Sequence, residues 1–370
     1  MAGKVTDEAF LASWERHKSP TLVAKDLGIS ERGVMSRRRT LEVRHGVKLA
    51  TIYRDPGRIH GTSTLYGPDG ETKLQWVKRD TARPNLEQLG EIVRDVFAGT
   101  APVARVPAPK TSQRDLLTCY AVGDHHLAMY AWGEEAGADY DMETSERLLV
   151  AGAGHLVEVA PPSDVGLICN VGDFFHVDGL RPETTRNRNA LDVDTRYAAM
   201  IRAGVRMLRT FIDCALVKHR RVVVVNACGN HDDVGALWLS LALGLLYEKN
   251  PRVEVERTPA KFIYRQHGRV LLGITHGDTV KLPELAGVMA ADQPELWGAT
   301  AHRYWLTGHI HQRRVLELAG VTVESFRTLA ARDAWASAAG YRSGRDMVAL
   351  VYHAEHGEVA RHRFDVGMLA

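Results

Sequence analysis

Leu116-Leu117-Thr118-Cys119-Tyr120-Ala121-Val122-Gly123-Asp124-His125-His126 is the stretch that decides the fold. A run of apolar, β-favouring residues breaks at a glycine and ends in a polar cluster, which reads as a buried strand running into a turn. The same texture returns four more times. Val165 to Val171 leads into Gly172-Asp173, and Arg221 to Ala227 into Gly229-Asn230-His231-Asp232. Val270 to Thr275 leads into His276-Gly277-Asp278, and Tyr304 to Thr307 into Gly308-His309-Ile310-His311. Helical segments lie between them, the strongest at Asp194 to Lys218 and Gly235 to Tyr247. Strands alternating with helices imply an α/β domain. In such a domain the C-terminal ends of strands converge on one crevice, so clusters far apart in sequence can share a site. Glycine beside each cluster lets the backbone turn as it leaves the strand.

Two neighbouring divalent cations need oxygen and imidazole donors and a carboxylate able to bridge them. The five clusters offer both. None contains cysteine, which disfavours a structural zinc site. Singly, each is a weak signal, and Gly-Asn-His-Asp alone reads as a turn. Their order is specific. Asp-x-His, Gly-Asp, Gly-Asn-His-Asp, His and Gly-His-x-His, each after a strand-like run, resembles the calcineurin-like metallophosphoesterase superfamily from about Leu116 to His311, roughly half the chain.

That resemblance implies the metallophosphoesterase fold, a two-sheet β-sandwich flanked by helices, with two divalent metal ions. Asp124, His126 and His311 would hold the first ion, Asn230, His276 and His309 the second, and Asp173 would bridge them. Manganese is the expected metal, with iron, zinc or nickel compatible with the same donors. His231 would stabilise the transition state or protonate the leaving oxygen, as an imidazole suits that work near neutral pH. Asp232 would orient the His231 ring. His125 falls off the ligand pattern, and Ala128 stands where members often carry glycine. Two cations about 3.5–4 Å apart clamp phosphate oxygens and activate water, so no protein nucleophile is needed. No Gly-x-Ser-x-Gly elbow occurs.

Neighbouring residues admit two readings each. Phe174 and Phe175 are core or a base-stacking wall, and His176 and Asp178 are candidate substrate or outer groups. Arg181 to Asp194 is a basic loop over the site or a solvated connection. Arg313 and Arg314 are phosphate contacts or strand-edge residues. Trp335 and Tyr341, with Arg332 and Asp333, precede a last strand pair, Met347 to His353 and Glu358 to Asp365, expected to complete the second sheet.

Residues 6–45 read as helical, with Phe10, Leu11 and Trp14 on one face. Ser19-Pro20 can open a helix, Gly28 can take the turn after it, and Ser30 can cap the next. The pattern of Ala24, Gly28 and Val34 resembles a helix-turn-helix, whose second helix would present Arg32, Arg37, Arg38 and Arg39 to nucleic acid. Ser63 to Tyr66 and Lys73 to Lys78, around Gly67-Pro68-Asp69-Gly70, read as a hairpin. A helix is expected over Leu86 to Phe97, and Thr100 to Ser112 reads as a linker. The expected organisation is a helix-turn-helix-like domain at 1–50, a hairpin, helix and linker at 51–112, and the phosphoesterase domain at 113–370.

An apolar fraction of 45% and a charged fraction of 25% exclude gross disorder. The longest apolar stretches, such as Leu239 to Leu246, are too short to span a membrane. Cys119, Cys169, Cys214 and Cys228 lack CxxC spacing and read as buried thiols in a reducing compartment. The N-terminal residues lack the apolar segment of a secretion signal, so the expected location is the cytoplasm of a bacterial host cell. The full-length arrangement also resembles uncharacterised phage and prophage proteins. These features together point to a two-metal phosphodiesterase, read as a DNA-directed nuclease, and a homo-oligomer is compatible with them. The alternatives are a phosphomonoesterase or cyclic-nucleotide phosphodiesterase, and an inert DNA-binding adaptor.

Overall fold

The computed structural model describes residues 5–17, 20–45, 59–66, 72–79, 106–185 and 188–369. The chain divides into two compact units, Met1–Leu89 and Gly90–Ala370.

In the first unit three helices follow one another: α1 (Asp7–His17), α2 (Pro20–Leu27) and α3 (Glu31–His45). Pro20 opens α2, and Gly28 leaves it in left-handed backbone at φ +64. The Ser30 hydroxyl then accepts from the Gly33 amide at 3.1 Å and starts α3. Phe10, Trp14, Val23, Val34 and Leu41 bury against one another as a small core. β1 (Ile59–Tyr66) pairs antiparallel with β2 (Thr72–Arg79), which is the expected hairpin. Its turn at 67–70, the helix expected over Leu86 to Phe97, and 100–105 of the linker lie outside the described residues.

The second unit is built on two sheets. In the first, the order is β13-β12-β3-β4-β5-β6, formed by β3 (Gln113–Val122), β4 (Ser163–Asn170), β5 (Arg221–Asn226), β6 (Val253–Val255), β12 (Asp346–His353) and β13 (Gly357–Asp365). β3, β4, β5 and β6 run parallel, while β12 is antiparallel to both of its neighbours. In the second, the order is β10-β11-β9-β8-β7, formed by β7 (Ile263–His267), β8 (Val270–Ile274), β9 (His302–Thr307), β10 (Arg314–Leu318) and β11 (Val321–Ser325). The last strand pair therefore belongs to the first sheet. Its expected place in the second is corrected, because β12 hydrogen-bonds to β3 from Val348–Ala121 to His353–Leu116.

Alternation along each strand creates the layers. Leu117, Cys119 and Ala121 of β3, Leu167 and Cys169 of β4, and Leu350 and Tyr352 of β12 meet Leu272 and Ile274 of β8 and Leu306 of β9 between the sheets. The intervening residues Tyr120, Ile168, Val222 and Val224 turn outward and are covered by helices. Those helices include α5 (Met142–Val159), α6 (Tyr197–Lys218) and α7 (Gly235–Leu246), which follow the single turn α4 (Gly133–Ala136). On the far side Leu271, Trp305 and Val323 pack against α8 (Leu285–Asp292), which α9 (Pro294–Ala299) follows. The fold is an α/β two-sheet sandwich flanked by helices. With both faces of β3, β4, β5 and β8 covered, near-continuous apolar runs are what these strands require. One further short helix, α10 (Ala334–Ala338), lies between β11 and β12. No helix among the described residues is long and apolar enough to cross a membrane.

Candidate metal centre

The five polar clusters follow the C-terminal ends of β3, β4, β5, β8 and β9. The first three come from one sheet and the last two from the other, so the site gathers at a common edge of the sandwich. Among the described residues three groups of ligand-type atoms result, each with its donor atoms within 4.8 Å of one another: Asp124, His126 and His311; Asp173, His276 and His309; and an all-imidazole group, His126, His176 and His231, which shares His126 with the first. Asn230 joins the second group, its Oδ1 lying 3.1 Å from His276 Nε2. All seven residues expected at the metals are thus brought together.

The backbone bends hard to do this. Asp124, His126, Asp173, His309 and His311 all have φ between +35 and +71, a region that favours glycine. Ala128 shares it at φ +75, so the tight turn survives although the glycine is missing. The glycines that are present serve close approach. A side chain at Gly308 would meet Asp124 Oδ2 at 2.5 Å, and one at Gly229 would fall on the Asp173 carboxyl. The clusters interlock through their carboxyls: Asp124 accepts from the His309 amide at 2.9 Å and Asp173 from the His231 amide at 2.8 Å.

Charge and tautomer follow from these contacts. His276 Nδ1 donates to the Val171 carbonyl at 3.0 Å, which aims Nε2 at Asp173 Oδ2, 3.1 Å away. Burial opposes charge on His276, yet the Asp173 and Asp124 carboxylates carry its pKa up to about 10. Burial likewise opposes the Asp173 charge, and His276 overrides it, holding that carboxyl well below the usual range. His126 and His311 face each other with their Nε2 atoms 3.1 Å apart. Burial pushes His126 far down, whereas on His311 the Asp124 charge outweighs burial and raises it. Unprotonated, these nitrogens and oxygens would point lone pairs at one another. A proton or a metal cation between them removes the repulsion, and the nitrogen-oxygen donor set suits divalent transition metals.

Surrounding groups sort by contact. His176 Nδ1 lies 3.1 Å from His126 Nδ1 and so fixes that ring; burial pushes its own pKa down to about 3. The Thr328 hydroxyl donates to the Asp124 carbonyl at 2.5 Å, a support with no motif to announce it. His231 is partly exposed, and its Nδ1 donates to the His176 carbonyl at 2.9 Å, leaving Nε2 free of that bond. The expected pairing of Asp232 with His231 is corrected. Asp232 is fully buried and accepts from the amides of Asp173, Phe174, Phe175 and Gly229. It ties the second and third clusters together instead of orienting the imidazole. Asp178 accepts from the Val234 and Gly235 amides at the start of α7 at 2.7 Å. His125 is buried, bonded to Ser145 and stacked on Phe174.

Phe174 and Phe175 are fully buried, so they are core and not a stacking wall. The segment from Arg181 does reach the site, through Thr184 and Asn189, and the Thr185 hydroxyl donates to the Asn230 carbonyl. Arg313 is committed to Glu324 at 3.0 Å. In the first unit Arg37 pairs with Asp7 at 2.6 Å and Arg38 lies over the Trp14 ring at 4.8 Å. The side chains of Arg32 and Arg39 lie outside the described residues.

The centre opens into a cleft of about 1160 Å³ whose walls include His126, Asp173, Asn230, His231, Arg332, Trp335, Tyr341 and Arg342. Sequence motifs pointed to the metal-binding end of this cleft and not to the wall at 328–345.

No protein-family model matches the chain, and no curated protein matches it. Solved structures do. A conserved uncharacterized protein from Streptococcus pneumoniae TIGR4, a predicted phosphoesterase, is 10% identical and covers 68% of this chain and 99% of its own, with a TM-score of 0.29. A dimetal phosphatase from Danio rerio is 9% identical, covering 67% and 98%, with a TM-score of 0.36. Vacuolar Protein Sorting 29 from Cryptosporidium parvum is 18% identical, covering 68% and 98%, with a TM-score of 0.29. At such identities and scores, chemistry has to be argued from the side chains of this chain.

Proposed function

We propose that the chain is a two-metal phosphoesterase that hydrolyses phosphodiester bonds in nucleic acid. One observation carries this most: seven side chains from five strand ends, in two sheets, converge as two oxygen-and-imidazole donor groups. The first ion would sit among Asp124, His126 and His311, the second among Asn230, His276 and His309, with Asp173 shared. When bound, two divalent ions hold phosphate oxygens and activate water for attack. The protein does the rest. Asp232 and Thr328 fix the turns that carry Asp173 and Asp124. His231, whose Nδ1–H bonds the His176 carbonyl, would give the leaving oxygen a proton from Nε2 in its doubly protonated form and keep the Nδ1 proton on that carbonyl afterwards. The Arg-bearing helix α3 would recruit DNA, with Asp7 giving up Arg37 to phosphate as it binds.

The test is a manganese-dependent panel on the full chain. It sets single- and double-stranded DNA and RNA against bis-p-nitrophenyl phosphate, its monoester analogue and cyclic nucleotides. Nucleic-acid cleavage that falls at least about 100-fold in Asp173→Ala supports the proposal. Turnover confined to monoesters or cyclic nucleotides would move the substrate to a small molecule. Undiminished activity in Asp173→Ala would sink the site. His231→Ala should keep the metals and slow turnover roughly 10²–10⁴-fold; loss of metal content would make His231 a ligand.

A further inference from the structure

The metal-binding residues account for a phosphate, but the cleft is far larger than one phosphate needs. Its other wall carries an exposed aromatic pair. Trp335 is 68% exposed and sits 5.6 Å, centroid to centroid, from Tyr341 at a tilt of 37°. A lone exposed tryptophan on a smooth surface would need no explanation. This one lines the same cleft as His126, Asp173 and His231 and stands on a closely braced support.

The bracing is specific. Asp333 caps α10 by accepting from the Ala336 amide at 2.7 Å. The chain reverses at Gly340, at φ +82, and the Tyr341 amide returns to the Ala336 carbonyl. Arg332 donates to the carbonyls of Tyr341 and Ala136, and the Ser337 hydroxyl to that of Glu135, which pins the segment to α4. Arg332, Arg342 and Arg345 donate to main-chain carbonyls, Arg342 through Nη1. Among the described residues no carboxylate pairs with any of the three, so their positive charge is left to attract an anion in the cleft. A rigid ring with one face open, beside three arginines and a phosphate-handling centre, has the chemistry of a site for an aromatic anion.

We propose that Trp335 and Tyr341 form a stacking platform for an unpaired nucleobase adjoining the scissile phosphate, with Arg342 taking the neighbouring phosphate. It follows that the strand is single-stranded where it is cut, because a base on Trp335 has left its own stack. This deepens the phosphodiesterase proposal and depends on it for the position of the scissile bond.

Binding separates the two claims. The full chain, in calcium buffer, is titrated against a labelled 12-nucleotide single strand and against the same strand with abasic sites, by fluorescence anisotropy. The platform requires the intact strand to bind wild type about 10-fold or more tightly than the abasic strand. Trp335→Ala should bind both equally weakly, and Trp335→Phe should restore the preference; circular dichroism melts confirm that the variants fold. Equal binding of the two strands by wild type, or an undiminished preference in Trp335→Ala, overturns the platform. Failure of the phosphodiesterase proposal shows elsewhere, as no metal-dependent turnover by wild type, and leaves the anisotropy result to decide the platform.

Discussion

Left-handed backbone at Asp124, His126, Asp173, His309 and His311 is a cost that folding alone would not select. Each such residue is destabilised by roughly 1–2 kcal/mol relative to glycine in the same turn. Strain gathered on the ligand-type residues themselves is the pattern expected where a site imposes geometry. His309 is the cleanest test, since it is exposed and its φ is +71. In metal-free buffer His309→Gly should resist urea better than His309→Ala by about 1 kcal/mol, while both lose metal-dependent turnover. Equal stabilities would remove the strain argument. Asp232 belongs to the same scale. Removing its carboxyl leaves four main-chain amides without their acceptor, so Asp232→Ala should lower the unfolding free energy by about 3 kcal/mol or more. A variant with wild-type stability and only slowed chemistry would return Asp232 to the role of orienting His231. The ligand-type residues that gather at the strand ends were legible because their types and order are distinctive. The work of Asp232 was not, because its partners Asp173, Phe174 and Phe175 lie far away in sequence while the misleading histidine is adjacent.

At the scale of elements, the five strands that deliver the site were readable from apolar runs closed by glycine. The segment β10–β11 and helix α5 were not identified, although Ala319-Gly320 and the Asp141 cap carry ordinary turn and helix-start signals. β12 was placed in the wrong sheet because strand pairing depends on long-range register, which no local pattern encodes. One buried joint between elements has a measurable pH signature. His219, just after α6, donates from Nδ1 to the Ser163 carbonyl and takes the Tyr120 hydroxyl at Nε2, 2.7 Å away. Burial pushes its pKa down to about 4. The unfolded chain, with an ordinary imidazole near 6.5, therefore binds the proton more tightly than the folded one. The stabilisation is complete above about pH 6.5 and is lost as pH falls toward 4, by roughly 3 kcal/mol in all. Urea unfolding at pH 7 and pH 4.5 should show a smaller pH dependence in His219→Gln than in wild type. An identical pH slope in the two proteins would mean His219 is not held neutral by the fold.

At the scale of the whole molecule, the chain joins a helical unit to a metal-site unit. Their composition was legible: caps, glycines and apolar spacing announced α1 to α3, and the five clusters announced the sandwich. A nucleic-acid role for the helical unit was less so. Asp7 is paired with Arg37 and Arg44, and Arg38 covers Trp14, so part of the arginine face stabilises the unit itself. If α3 recruits DNA, deleting residues 1–50 should leave small-ester turnover in place, weaken duplex DNA binding and flatten its salt dependence. An unchanged binding isotherm would retire that role.

If Asp173 joins two metal ions, electron paramagnetic resonance of the full chain titrated with manganese will register them as a coupled pair. Wild type should give an exchange-coupled dimanganese signal that saturates at two ions per chain and gives way to uncoupled ions in Asp173→Ala. Uncoupled manganese in wild type, or a coupled signal that survives in Asp173→Ala, would contradict that role for Asp173.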